Sequence, residues 1–283
     1  MKTRVPALFA AGVLTLSLAA CGSGEEAPEP TGEATASAAE ENGGTGLIDL
    51  LGSLGESTAE ATNYTLDVHM SAEDPDLGAF TVDFLFEVMD DPEAVQTTMV
   101  MPEMGEMLLE LASLSGEDIG LTAEELGTTV IITPVGGEML ISNHNGLQES
   151  GAAWVRGADD TGGMDPDEMF DLSQYPELAG ALAGIEQIEE TGSEEVNGVP
   201  TTVVSGSLTQ EQISAMDPAS KSTVEGFIGG SLSGTFEISI WIADDGFPMR
   251  MNLADDELTM EMEFSEVGTT SFEMPTEDQI GDI

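Results

Sequence analysis

The chain has 283 residues, 55 of them acidic and five basic, for a formal net charge of −50, yet 40% of its residues are hydrophobic. That balance excludes a sequence-independent nucleic-acid binder, which needs Lys and Arg against phosphates, and argues against adsorption on an anionic lipid surface, while leaving apolar material for a sizeable core. A single cysteine excludes an intramolecular disulfide, and with His69 and His144 as the only histidines a Cys/His zinc site has no ligand set.

Lys2 and Arg4 precede an apolar run, Val5–Leu18, that is too short to span a bilayer, and small residues follow it. This is the pattern of a secretory signal over residues 1–20. Leu18-Ala19-Ala20-Cys21 resembles the bacterial lipobox. That resemblance implies diacylation of the Cys21 sulfur, with Cys21 as the first residue of the mature chain. The alternative is an ordinary signal peptide with a chance cysteine. Processing would leave Arg156, Lys221 and Arg250 as the only basic residues against all 55 acids, a composition that favours a soluble monomer.

Gly22–Gly44 is Gly, Ser, Ala, Pro, Thr, Asn and Glu with no large apolar residue, the composition of a disordered acidic tether over 21–45. As a flexible coil such a segment spans about 25 Å root-mean-square, and its glutamates extend it further.

Leu47, Ile48, Leu50, Leu51 and Leu54 then recur at helical spacing and predict a helix over 46–61. Three strands follow, each with one wet and one apolar face. Their apolar positions are Tyr64, Leu66, Val68 and Met70, then Phe80, Val82, Phe84, Phe86 and Val88, then Val95, Thr97, Met99 and Met101. The turns at Asp74–Gly78 and Asp90–Pro92 make them a meander. Met104, Met107, Leu108, Leu111 and Leu114 fit a helix within 104–126, with a second short one at Leu121–Leu126. Strands are expected at Thr128–Thr133 and Met139–Ser142 around Gly136-Gly137, followed by Asn145–Gly157 with Trp154 and an acidic loop at Asp159–Asp167. Short helices are expected at 166–171 and 176–185. Asn197-Gly198 joins a strand at Glu186–Val196 to one at Val199–Leu208. Thr209 starts a helical stretch to Phe227 that breaks at Asp217-Pro218. Phe236, Ile238, Ile240 and Ile242 alternate in a further strand. Asp245-Gly246 turns the chain into Met249, Met251 and Leu253, and Leu258, Met260, Met262 and Phe264 alternate in the last strand.

Short connections between about eight to eleven such strands imply an antiparallel sheet. Its apolar face needs a cover, and the helices are the available one. The predicted class is α+β, one strongly curved antiparallel sheet with helices over its concave apolar face, occupying residues 46–276 before a tail at 277–283. A two-sheet sandwich is the alternative.

Three motifs carry a family resemblance. Gly192-Ser193-Glu194-Glu195-Val196-Asn197-Gly198-Val199-Pro200-Thr201-Thr202 resembles a hairpin of the LppX/LprG-like cell-envelope lipoproteins, within the LolA/LppX superfamily. Trp241–Arg250 resembles their hairpin of Trp, acidic residues and Gly, then x-Pro. Trp154-Val155 stands where the family often has Trp. The resemblance covers roughly residues 45–275. It implies a half-barrel enclosing an apolar cavity, a lipid or lipoglycan ligand, and a lipid-anchored position on the extracytoplasmic face of the cell membrane.

If a cavity exists, the alternating strands supply its lining: Tyr64, Leu66, Val68, Met70, Phe80, Val82, Phe84, Phe86, Met99, Met101, Ile238, Ile240, Ile242, Met260 and Met262. Methionine is soft and unbranched, so it suits a surface that takes flexible acyl chains, and it equally fills an ordinary core. Asp159, Asp160, Asp165 and Asp167 offer oxygen ligands for Ca²⁺ but lack the EF-hand order, so no metal is expected. His69 falls on the wet face of its strand and His144 in a loop. No nucleophile elbow, His-Glu-x-x-His or phosphate loop occurs, so neither catalysis nor a cofactor is expected. Two readings remain open: a lipoprotein that binds and carries an amphiphile in an apolar cavity, and a non-catalytic interaction or sensor lipoprotein with a filled core.

Overall fold

The computed structural model describes residues 43–74, 78–116, 119–148, 150–157, 175–183, 185, 187–227 and 234–282. The chain divides into a unit at Met1–Ala39, outside those residues, and a unit at Glu40–Ile283. Cys21, residues 22–42 of the expected tether, the helix expected at 166–171 and the acids Asp159, Asp160, Asp165 and Asp167 lie outside the described residues, while residues 43–45, expected in the tether, already belong to the first helix.

Two meanders make the sheet of the second unit. β1 (Tyr64–Asp74), β2 (Gly78–Asp90), β3 (Glu93–Val100), β4 (Thr128–Pro134), β5 (Leu140–Ser142) and β6 (Trp154–Arg156) pair in chain order. So do β7 (Glu189–Val196), β8 (Val199–Thr209), β9 (Thr235–Ala243), β10 (Pro248–Ala254) and β11 (Leu258–Ser265). The first strand of one and the last of the other, β1 and β11, pair antiparallel and join both into one curled sheet of 12 strands. Only β12 (Ile280–Gly281) runs parallel to its neighbour, β6. The fold is thus α+β around a single large antiparallel sheet, and not a sandwich.

The helices are α1 (Gly43–Glu60), α2 (Pro102–Ser115), α3 (Ala123–Gly127), α4 (Tyr175–Ala183), α5 (Gln210–Ala215) and α6 (Pro218–Phe227). Their caps are local: Thr209 accepts from Gln212 N while its own N donates to Gln212 Oε1 (2.8 Å), a reciprocal box that starts α5. Asp217 Oδ1 accepts from Ala219 N (3.0 Å) and Ser220 N (3.2 Å) at the start of α6. These hydrogen bonds hold the Asp217 carboxyl below the usual carboxylate range, the Ser220 hydroxyl contributing most.

Leu51 and Leu54 of α1, Leu178 and Leu182 of α4, Ile213 of α5 and Val224 of α6 are buried in one core with the apolar sides of β1, β2, β8, β9, β10 and β11. α2 departs from the expected cover. It packs on α3 through Gly105, where an added Cβ would collide with the Ala123 carbonyl, and one on Gly127 would collide with the Met101 carbonyl. Two glycines let these backbones touch, so α2 turns Gly105 and Ala112 inward, keeps Leu108 and Leu109 half-buried and leaves Met104, Met107, Leu111 and Leu114 outside.

The residues after β11 recross the sheet on its other side. Asn63 receives Thr270 N (2.8 Å) and donates to Thr270 O (3.0 Å), while the Thr65 and Thr270 hydroxyls meet at 2.9 Å. From that clamp on β1 the chain reaches the far edge, where the stretch read in sequence as a tail forms a 3-10 turn (Glu277–Gln279) and β12. Met89, Ala94, Ile132 and Leu140 are buried on the face this segment crosses. At the opposite edge, β7 is exposed along nearly its whole length, and its glutamates oppose pairing with another chain.

Candidate functional site

Antiparallel register sorts the helix-covered face into rows, because residues directly opposite share a face. One row runs Phe86–Leu66–Phe264, the next Phe84–Val68–Met262–Met251–Ile240–Val204, the third Val82–Met70–Met260–Leu253–Ile238, and the last Phe80–Ala72–Leu258. Burial declines along this series. The first two rows are closed, while Met70 and Met260 are half-buried, and so are all three residues of the last row.

The closed end is filled by rings. Phe264 meets Tyr64 (centroids 5.7 Å) and Phe247 (5.2 Å), both edge to face. The β9–β10 turn presses on α1 there: Gly246 has φ +88°, and a Cβ on it would lie 2.6 Å from the Ser53 carbonyl oxygen. Asn197 and Gly198, both at positive φ, form the neighbouring hairpin turn, and Asn197 Nδ2 donates to Phe264 O at 3.1 Å. A shallow polar-rimmed pocket of about 370 Å³ lies between these turns, bordered by Asn197, Asp245, Phe247 and Glu266.

The opposite end holds an apolar pocket of about 350 Å³ between the start of β2 and the start of α2. Ala79, Phe80, Thr81 and Val82 form one wall, and Met101, Glu103, Met104 and Met107 the other. Met101, Met104 and Met107 come at three-residue spacing from the chain's passage out of β3 into α2. Thr81 Oγ1 donates to Glu103 Oε1 at 3.1 Å, the polar contact across the mouth. Flexible thioethers on one wall and aromatic and aliphatic groups on the other make a surface that adapts to an unbranched chain.

On the opposite face of the sheet, each cation is taken up by acids. Arg250 Nε donates to Glu263 (2.7 Å), its guanidinium lies 5.5 Å from the Trp241 ring, and Trp241 Nε1 donates to Glu194 at 2.9 Å. Arg156 bridges Glu138 (3.1 Å), Glu277 (3.2 Å) and Asp282 (3.0 Å), which fixes β12 to β6. His69 is exposed and pairs with Asp83. Partial desolvation, then the charges of Asp83 and Glu263, push the Asp67 carboxyl up from its ordinary value. Among the described residues no group of three or more His, Cys, Asp or Glu is placed to hold a metal ion, and no helix is long and apolar enough to cross a membrane.

The structure separates the cavity residues expected from sequence into two sets. Leu66, Val68, Phe84, Phe86, Ile238, Ile240, Ile242 and Met262 lie buried in the packed core, with Tyr64 and Met99 against its side. Phe80, Val82 and Met101 line the open pocket, and Met70 and Met260 adjoin Val82 in its row. Sequence reasoning missed Ala79, Thr81, Glu103, Met104 and Met107 as pocket residues. The signal for them was the Met101-x-x-Met104-x-x-Met107 spacing at the end of a strand, which places soft side chains on one side of a helix start.

No curated protein sequence matches the chain. Among solved structures, LprF from Mycobacterium bovis is 13% identical, with 83% of this chain and 99% of that one covered and a TM-score of 0.44. LppX from Mycobacterium tuberculosis is 15% identical, with 79% and 95% covered and a TM-score of 0.40. A LolA-superfamily protein from Nitrosomonas europaea is 8% identical, with 83% and 96% covered and a TM-score of 0.26. The sequence model of the LppX_LprAFG lipoprotein family matches residues 164–270, the stretch that holds both the Asn197-Gly198 and Asp245-Gly246 hairpins, and over that stretch the chain is similar to the LppX/LprG-like lipoproteins.

Proposed function

We propose that this chain is a lipoprotein held by Cys21 at the extracytoplasmic face of a cell membrane, where it binds an acyl chain of a lipid or other amphiphile and carries it without catalysis. The carrying observation is the methionine-walled pocket at the open end of the sheet, about 350 Å³ bounded by Phe80, Val82, Met101, Met104 and Met107. That volume is at the lower end of small-molecule pockets, so it suits one chain while the headgroup remains in water. Each methylene buried there contributes about 0.8 kcal/mol. Glu103 at the mouth disfavours an anionic group close to the rim and selects for a neutral or cationic one.

Native mass spectrometry of the chain purified without detergent tests the reading. A bound amphiphile that is lost when Met104 and Met107 are both changed to Glu supports it. An empty protein that also fails to take up a fatty-acyl probe overturns it. A second reading, a non-catalytic interaction or sensor lipoprotein, is favoured by the full burial of Val68, Met251, Met262 and Phe264, which leaves the middle of the sheet filled. Recovery of a stable protein partner together with no acyl uptake would select it.

A further inference from the structure

We infer that the outer stripe of α2 docks into the apolar layer of a lipid bilayer and leads an acyl chain to the methionine-walled pocket, an inference that rests on reading that pocket as the lipid site.

Met104, Met107, Leu111 and Leu114 follow one another at spacings of three, four and three, which puts them on one side of α2. Their exposures are 41%, 48%, 52% and 86%, rising steadily away from the pocket. The first two also line the pocket, so the stripe begins inside it and runs outward as one continuous apolar track. The other large exposed apolar residues described, such as Val135 and Leu147, are separate in sequence, as is ordinary on a soluble surface. α2 cannot roll to hide the stripe, because the glycine contact with α3 fixes its opposite side.

Charge and reach point to the occupant. The segment Gly22–Gly44 has no large apolar residue with which to cover the stripe. A second copy would bring together two bodies of formal charge −50 each. Glu103, Glu106 and Glu110 flank the stripe and are fitted to stay in water while the leucines enter a layer lying beneath them. The chain between Cys21 and Gly43 reaches at most about 80 Å when fully extended, so a body acylated at Cys21 remains within reach of its own membrane. The anchor makes docking intramolecular, so a few exposed side chains suffice where they would not hold a free protein. The same glutamates set a preference: a zwitterionic layer is accepted and an anionic one opposed.

The test uses the full acylated chain in phosphatidylcholine vesicles. With Cys21 acylated, Leu114→Cys supplies a single thiol for an environment-sensitive dye, and Val135→Cys, 65% exposed in the β4–β5 turn, supplies the comparison. Dibrominated phosphatidylcholine should quench the dye at 114 at least threefold more than at 135. Adding Leu111→Glu should bring the two equal, and so should replacing about half of the lipid with phosphatidylglycerol. Equal quenching in the unmodified background overturns docking, as does a dimer in solution whose contact protects 104–114. Native mass spectrometry of the same samples separates the two levels. Retained amphiphile with equal quenching sinks docking alone, whereas an empty pocket that takes up no acyl probe sinks the lipid-site reading beneath it.

Discussion

The two ends of the helix-covered face are built from the same strands yet solve opposite problems. At the closed end Phe264 sits between Tyr64 and Phe247, and the Asp245-Gly246 turn abuts α1. At the open end the same strands carry Met70, Met260, Val82 and Phe80, and Phe80 and Val82 face the methionines at the start of α2 across the pocket. Rings of fixed shape interlock and exclude alternatives, whereas thioethers repack around whatever enters. Stability is therefore concentrated at one end and adaptability at the other, so that taking up or losing a ligand need not disturb the core.

The largest effect expected from this contrast is on unfolding. Phe264→Ala removes a fully buried ring and should cost about 3–5 kcal/mol, whereas Met260→Ala, four residues away on the same side of β11, should cost about 1 kcal/mol because its site is already half open. Urea unfolding measures both, and equal costs would mean that the two ends are packed alike. Next comes Gly246→Ala. Its φ of +88° and the 2.6 Å approach of a new Cβ to the Ser53 carbonyl oxygen should cost about 2 kcal/mol or more and loosen α1 from the β9–β10 turn, seen as faster amide exchange around Ser53.

How much of this was legible depends on the period of the signal. Alternation through Tyr64–Met70, Phe80–Val88, Phe236–Ile242 and Leu258–Phe264 named the apolar face of each strand, since one face is buried and a period of two cannot be mistaken there. Asn197-Gly198 and Asp245-Gly246 marked hairpins because their backbones need positive φ, which Asn and Gly tolerate. The difference between Met262, which is fully buried, and Met260, which is half open, had no sequence signal. Both are methionines on one face, and only the row each occupies across several strands decides. α2 misled for a related reason. An apolar stripe predicts a buried side, but Gly105 and Gly127 gave α3 the closer contact and left the stripe outside. β12 was silent because two residues carry no period, and its place beside β6 depends on Arg156 and the clamp at Thr270.

Changing the open end should alter binding more than folding. Met104→Glu with Met107→Glu places two carboxylates at an apolar mouth already half exposed, so stability should change by less than about 0.5 kcal/mol. Affinity for a neutral dansyl-labelled fatty amide should fall about tenfold, equivalent to about 1.4 kcal/mol. Fluorescence titration beside a melting curve reads both, and unchanged affinity in a folded double variant would place the site elsewhere.

The smallest effect lies between the ends, on the other face of β1. Asp67 is partly desolvated and faces the charges of Asp83 and Glu263, with Glu261 adding repulsion and His69 opposing it, so its carboxyl sits above the ordinary 3.8. A carboxyl that ionises less readily in the folded chain keeps its proton where the unfolded chain has already released one. Stability therefore falls as pH rises from 3.8 through the raised value, and the whole penalty is in force at neutral pH. Asp67→Asn should accordingly raise the melting temperature by a degree or two at pH 7 and leave it unchanged below pH 3.8. It should not alter affinity for the fatty amide, because Asp67 faces away from Val68, Met70 and the pocket. A gain that persisted at acid pH would show that shape, not charge, governs this position, and a change in affinity would show that the two faces of β1 are coupled.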